Sequence, residues 1–279
     1  MSRFRYPLFF AHYLHAKNAG KTSVIFCKSL YSFLILKIIF LWPVLQEMVK
    51  YSPYKFVSWR SHFFYAPIKL AQANLDLFLV AGLVLLAIAL VVRVNYFTAL
   101  LICWLSFCLT RLTGFLASGS EQVLNLFLLL SLFLSQRPVL KTETLRSAQV
   151  IISNFAFLLC RIQLALIYAV SGVDKLFSKA WRSGDAVYSI MHLEFFFNPV
   201  IPVDLNEWMY KILAWAVILF ELSFPILIWY RRFRLPFLIL GVIFHLGIFF
   251  FLSLPDFGVV MILTYTIFLP GNWEREIGK

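Results

Sequence analysis

The sequence predicts an all-α fold: a polytopic transmembrane helix bundle of about eight spans, with both termini on the cytoplasmic side. Three observations predict it. Hydrophobic residues fill 62% of the 279 positions and charged residues only 14%, where soluble domains average about 45–50% and about 25%. The mean hydropathy is +0.85, and the apolar residues gather into long runs. Lys and Arg are distributed unevenly between the connections. This composition excludes a soluble enzyme, a disordered chain and a disulfide scaffold. At roughly 30–35 residues per span and connection, the chain is used up by about eight spans.

The chain divides into a basic, aromatic segment over 1–28, a transmembrane domain over 29–270 and a short cytoplasmic tail over 271–279. Segment 1–28 carries Arg3, Arg5, Lys17, Lys21 and Lys28 and no acid. It resembles the start of a signal sequence. The apolar run that follows it is long and has no small-x-small cleavage site, so 29–46 reads as a retained first span. Residues 4–14 read as an interfacial anchor. Further apolar runs lie at 75–92, 96–117, 122–135, 149–172, 210–230, 235–253 and 257–270. The fourth and eighth are short for a full crossing. Between the fifth and sixth, residues 177–194 are too polar to span and too aromatic for a plain solvent loop. They are expected to lie on, or dip into, the outer leaflet.

Orientation follows from the positive-inside rule. With the N-terminus inside, the inside connections hold Arg93, then Arg137, Lys141 and Arg146, and finally Arg231, Arg232 and Arg234. The outside connections hold Glu121, the acidic set Asp174, Asp185, Glu194, Asp204 and Glu207, and Asp256. The 47–74 loop, with Lys50, Lys55, Arg60 and Lys69, opposes the rule. The net charge of +12 is then read as basic residues facing anionic lipid, with the bilayer and not nucleic acid as partner. Cys27, Cys103, Cys108 and Cys160 fall in or beside apolar runs with no metal-ligand spacing, so no metal site is expected. No internal repeat is present, which weakens a transporter built on inverted repeats.

Ionisable side chains at membrane depth are costly unless paired or hydrated, so each is a candidate for function. Arg111, Arg161, Glu221 and His245 stand out. Arg161 lies about 16 Å below the outer end of its run and Glu221 about 15 Å below the outer end of its own. Equal depth predicts that the two pair. Arg111 and His245 come out at roughly 9–12 Å, so all four could line one cavity open to the outside. Each residue also has a structural reading: Arg161 with Glu221 as an ion pair that fixes packing, and His245 as a satisfied buried histidine. Within the fifth run, Arg161, Tyr168, Gly172 and Lys175 share a helical stripe about 60° wide. Lys175 stands at the outer mouth, where a lysine can serve function or snorkel to lipid phosphates.

Gln163-x4-Tyr168-x3-Gly172-x2-Lys175-Leu176-x4-Trp181-x2-Gly184 resembles the signature of the horizontally transferred transmembrane (HTTM) superfamily, which includes the membrane part of vitamin K-dependent gamma-carboxylase. Gly119-Ser120-Glu121-Gln122 is similar to that family's Gly-Gly-acid element. Phe220-Glu221-Leu222, His245-Leu246-Gly247-Ile248 and Phe257 are similar to its C-terminal half. The likeness covers roughly 100–270. It is especially marked toward the bacterial membrane proteins that help mature the sporulation-delaying peptide toxin, through Glu121-Gln122, Ile162-Gln163, Ile167-Tyr168, Trp181, Gly184, Phe244-His245 and Phe257-Gly258.

The resemblance implies a bacterial cytoplasmic-membrane protein in which Lys175 is the candidate base. Beside it, the residues themselves make Glu221, His245 and Arg161 candidate catalytic groups and Arg111, Glu121, Tyr168 and Trp181 candidate cavity residues. Base chemistry by a lysine needs a neutral amine near pH 7, which desolvation or neighbouring cations favour. A reduced quinone is the cofactor that the resemblance implies, and a small secreted peptide the partner. No histidine stands in the run after Glu121, where the carboxylase has one; the resemblance leaves open a carboxylase-like membrane enzyme with a lysine base and a lipid- or quinone-facing cavity with a peptide partner. The expected function is therefore modification or maturation of a peptide or lipid from the outer face. The alternatives are a non-catalytic assembly or immunity partner and a small-solute transporter.

Overall fold

The computed structural model describes residues 20–50, 71, 73–113, 119–134, 143–194, 196, 198 and 204–269, of which 48–50 and 143–146 are described by their backbone alone. The anchor at 4–14, Lys55, Arg60, Lys69, Arg137, Lys141 and the 271–279 tail lie outside the described residues. Among the described residues all regular structure is helical. The helices are α1 (Gly20–Lys50), α2 (Leu75–Val91), α3 (Tyr96–Leu112), α4 (Gly119–Ser131), α5 (Glu143–Phe177), α6 (Lys179–Ser183), α7 (Asp185–His192), α8 (Glu207–Leu227), α9 (Arg231–Phe251) and α10 (Pro255–Thr264), the last continued by a 3-10 turn over Tyr265–Phe268.

Each apolar run of the sequence therefore coincides with one helix. Four segments are long and apolar enough to cross a membrane: Gly20–Glu47, Ser147–Phe177, Glu207–Leu227 and Arg231–Phe251. Leu75–Val91, Tyr96–Leu112 and Pro255–Phe268 are apolar but shorter. The faces of the long helices show why water is the wrong solvent for them. On α8, Tyr210, Ala214, Ile218 and Glu221 are buried, while Ile212, Leu219 and Ile226 on the other side are 57%, 59% and 60% exposed. A helix apolar on its exposed face as well as its buried one is built to touch lipid.

Two compact units share the chain: residues 1–157 with 269–279, and residues 158–268. In the first, α1 packs against α2, α3 and α4, with Phe26 set edge-on to Phe127. This interior holds charge. Lys37 of α1 donates to Glu121 at the start of α4, and both side chains are almost fully buried. Ser120 donates to the other Glu121 oxygen at 3.1 Å. Asn125 accepts from Ser106 at 2.7 Å and donates to Thr110 at 2.9 Å. With no competing water, such hydrogen bonds fix how apolar helices pair.

The second unit contains α5 from residue 158 onward and α6 to α10 with the 3-10 turn. Helices α5 and α8 run antiparallel and close together. A Cβ on Gly172 would lie 3.0–3.1 Å from the backbone of Glu221 and Leu222, and one on Gly184 would lie 2.7 Å from the Lys211 nitrogen. Gly184 ends α6 with φ +97°, a left-handed conformation that favours glycine. The expected outer loop is in fact the two short helices α6 and α7. They are folded onto the first turns of α8, where Val187, Tyr210 and Ala214 form a small core with Trp181, Met191 and Leu205.

Candidate functional site

Helix α5 supplies the centre of the site. Tyr168, Ser171 and Lys175 recur at three- and four-residue spacing, so they stack along one face. Lys175 reaches across to α8, where its Nζ donates to both carboxylate oxygens of Glu221 at 3.0 and 2.8 Å. It also donates to the Ser171 hydroxyl, and it sits 4.9 Å from the centre of the Trp181 ring. An ammonium has three N–H donors, and here carboxylate, hydroxyl and aromatic face surround it. The two side chains are only 16% and 6% exposed.

Two turns back toward the N-terminus of α5, the Tyr168 hydroxyl bonds to His245 Nε2 of α9 at 2.7 Å and to the Tyr265 hydroxyl. Its ring packs on Phe224, with centroids 4.2 Å apart. One hydroxyl thus joins three helical elements. His245 is buried, and its Nδ1 has no hydrogen-bond partner among the described residues.

Tyr168, Ser171, Lys175, Glu221 and His245 form the polar part of the wall of a cavity of about 520 Å³. The rest of the wall is aliphatic and aromatic, with Trp181, Phe244 and Phe257 among its members. Gly247 also lies on it, and a Cβ there would meet nothing within 4 Å.

Five of the eight site residues read from the sequence therefore come together: Tyr168, Lys175, Glu221, His245 and Trp181 line the same cavity. Arg161 does not. Its Nε donates to the Ile267 carbonyl at 3.0 Å and its guanidinium lies 5.3 Å from the Phe268 ring centre. It thus stands at the C-terminal end of the 3-10 turn, where carbonyls lack helical partners and a cation is favoured. The expected Arg161–Glu221 pair is not formed; Glu221 takes Lys175 instead. The reason is that helix ends are not level. Glu221 lies about 21 Å from the first residue of α8, whereas Gly172, which faces it, lies about 8 Å from the end of α5. Equal depth within each run was therefore not equal height in the structure. Of the four ionisable residues expected at one cavity, Glu221 and His245 line this one. Arg111, whose guanidinium lies 5.1 Å from the Phe107 ring centre, and Glu121 both belong to the unit formed by 1–157, and neither is on this wall.

Sequence reasoning missed Lys37, Ser171 and Tyr265. Lys37 carried a usable signal, a lone cation inside the 29–46 run. Ser171 and Tyr265 carried none, since a serine or tyrosine in an apolar run has many ordinary uses. Among the described residues no group of His, Cys, Asp and Glu could hold a metal ion.

These features define an all-helical protein with several helices suited to a bilayer and an apolar cavity built around one ion pair. Comparison with protein-family models, with curated proteins and with solved structures finds no match.

Proposed function

We propose that this chain is an integral membrane protein of the HTTM, gamma-carboxylase-like type, with eight spans, both termini cytoplasmic and 177–207 outside. Its cavity receives an apolar molecule, lipid- or quinone-like or the apolar part of a small secreted peptide, and modifies or helps mature it. One observation carries this reading. Five of the seven residues of the motif serve one construction: Tyr168, Lys175 and Trp181 are on the cavity wall, and Gly172 and Gly184 let α8 come close enough to place Glu221 against Lys175.

The chemistry on offer is proton transfer. Lys175 and Glu221 are in direct contact, so one proton can sit on either without changing the net charge of the wall. A bound group with an acidic O–H or C–H meets an amine and a carboxylate together. A reduced quinone fits this donor set. Trp181, Phe244 and Phe257 would hold its ring, Lys175, Glu221 and His245 its oxygens, and when bound it would supply an ionisable phenolic oxygen. The chain differs from the carboxylase in having no histidine in α4 after Glu121.

The test is native mass spectrometry of protein extracted from its own membrane. A small apolar molecule should co-purify with the wild type and be lost in Gly247→Leu, which fills the cavity without touching the ion pair. A wild-type protein that carries nothing, or a Gly247→Leu protein that carries the same load, would refute the cavity as a ligand site.

A further inference from the structure

Resting on the reading of this cavity as a ligand site, we propose that Glu221 makes it select uncharged amphiphiles and reject anionic ones. A charged head that reaches this wall meets a fixed pair of opposite charges in apolar surroundings. An apolar cavity in a membrane protein with a lone lysine would be an anion trap, and bilayers are rich in competing anions: fatty-acid carboxylates and lipid phosphates. Here the lysine is already satisfied. Its ammonium meets both oxygens of Glu221 at 3.0 and 2.8 Å and the hydroxyl of Ser171. Among the described residues the wall carries no other Lys, Arg, Asp or Glu besides this pair.

An entering anion would have to share Lys175 with a carboxylate 2.8 Å from it. That would place two negative charges beside one positive charge among aliphatic and aromatic groups, where an unpaired charge costs several kcal/mol. A cationic head would meet the mirror-image difficulty at Lys175. An uncharged head meets none. A hydroxyl can donate to the free lone pairs of the Glu221 carboxylate, which accepts more than one bond per oxygen, and its apolar chain takes the remaining wall. The occupant is therefore an alcohol or phenol on an apolar body, and Glu221 is a specificity-determining residue rather than only the structural partner of Lys175.

The test uses a photoreactive, diazirine-bearing hexadecanol with protein in phosphatidylcholine nanodiscs. Unlabelled competitors are hexadecanol, hexadecanesulfonate and hexadecyltrimethylammonium, whose charges do not titrate. In wild type, labelling of peptides holding Ser171, Glu221 or Phe244 should yield to hexadecanol at concentrations at least about tenfold below those needed of either charged competitor. Glu221→Gln should bring the sulfonate into use by about tenfold, and Lys175→Met should do the same for the quaternary amine. Equal competition by sulfonate and alcohol in wild type overturns the proposal, and this arm stands even if a variant fails to fold. An unchanged ranking in folded Glu221→Gln also overturns it. A wild-type cavity that the probe does not label, or labels equally in Gly247→Leu, overturns instead the ligand-site reading beneath it.

Discussion

Lys175 can hold both oxygens of Glu221 because Gly172, one turn before it, has no side chain: a Cβ there would press to 3.0–3.1 Å against the backbone of Glu221 and Leu222. The contact between α5 and α8 and the ion pair are thus one device. The pair sits almost out of solvent, so its members should be strongly coupled. Lys175→Met or Glu221→Gln alone strands a charge and should cost about 3–5 kcal/mol, while the double variant should be less destabilised than the worse single one. The measurement is a double-mutant cycle on unfolding in detergent or bicelles. A double variant whose loss equals the sum of the singles would show two independent side chains.

Two glycines of the second unit should respond in opposite ways. Gly172→Leu has no room and must push α8 away, which breaks the ion pair, so unfolding should occur at clearly lower temperature, with a loss of at least about 2 kcal/mol. Gly247→Leu enters open space on a helix where leucine is a better helix former than glycine by somewhat less than the about 0.8–1 kcal/mol that separates glycine from alanine. It should fold as well as wild type and lose only the occupant of the cavity. Thermal unfolding of the two variants side by side decides the matter, and equal loss in both would contradict the described packing.

Gly184 is constrained twice, by its left-handed φ of +97° and by the Lys211 nitrogen 2.7 Å from where its Cβ would be. Even Gly184→Ala should therefore cost roughly 1–3 kcal/mol. Its effect should concentrate on α6, α7 and the start of α8, read as faster amide exchange over 179–192. Unaltered exchange there would mean that the turn tolerates a side chain.

The helices were legible because a bilayer demands long apolar runs, and such runs are visible one residue at a time. Their relative heights were not. Arg161 and Glu221 have equal depth within their own runs, yet α8 starts well beyond the end of α5, because α6 and α7 fold onto its first turns. That offset depends on Gly184 meeting Lys211, a contact between residues far apart in the chain. The motif was readable as a pattern, but not the reason for its glycines, which lies in the backbone of another helix. Lys37 was legible by the same cost argument that singled out Glu221. What remained hidden was that its partner would be Glu121, since nothing in either run sets their relative height.

Topology is open to a direct check. With the Lys/Arg asymmetry setting orientation, a periplasm-active reporter joined after Ser178 should be active and one joined after Gly278 silent, and a cytoplasm-active reporter should give the reverse. A silent periplasmic reporter at 178 would place Lys175 and Trp181 at the inner face and remove the outer-face substrate from the proposed function.

The lysine itself is best tested with arginine. Lys175→Arg keeps the charge, and its planar head can still bond both oxygens of Glu221, so the helix pairing and the stability should be largely kept. What arginine cannot do is give up its proton in a protein. If Lys175 is a base, Lys175→Arg should lose at least about a hundredfold in activity, nearly as much as Lys175→Ala, while unfolding close to wild type. If it is only an anchor for Glu221 and the bilayer surface, arginine should substitute freely and alanine alone should fail. The readout is complementation of a deletion strain, scored as release of mature peptide at equal membrane abundance, together with unfolding of both purified variants. A stable and active arginine protein would leave the Lys175–Glu221 pair a structural clasp and favour the non-catalytic reading of the chain, because among the described residues no second amine lies on the cavity wall to take the proton.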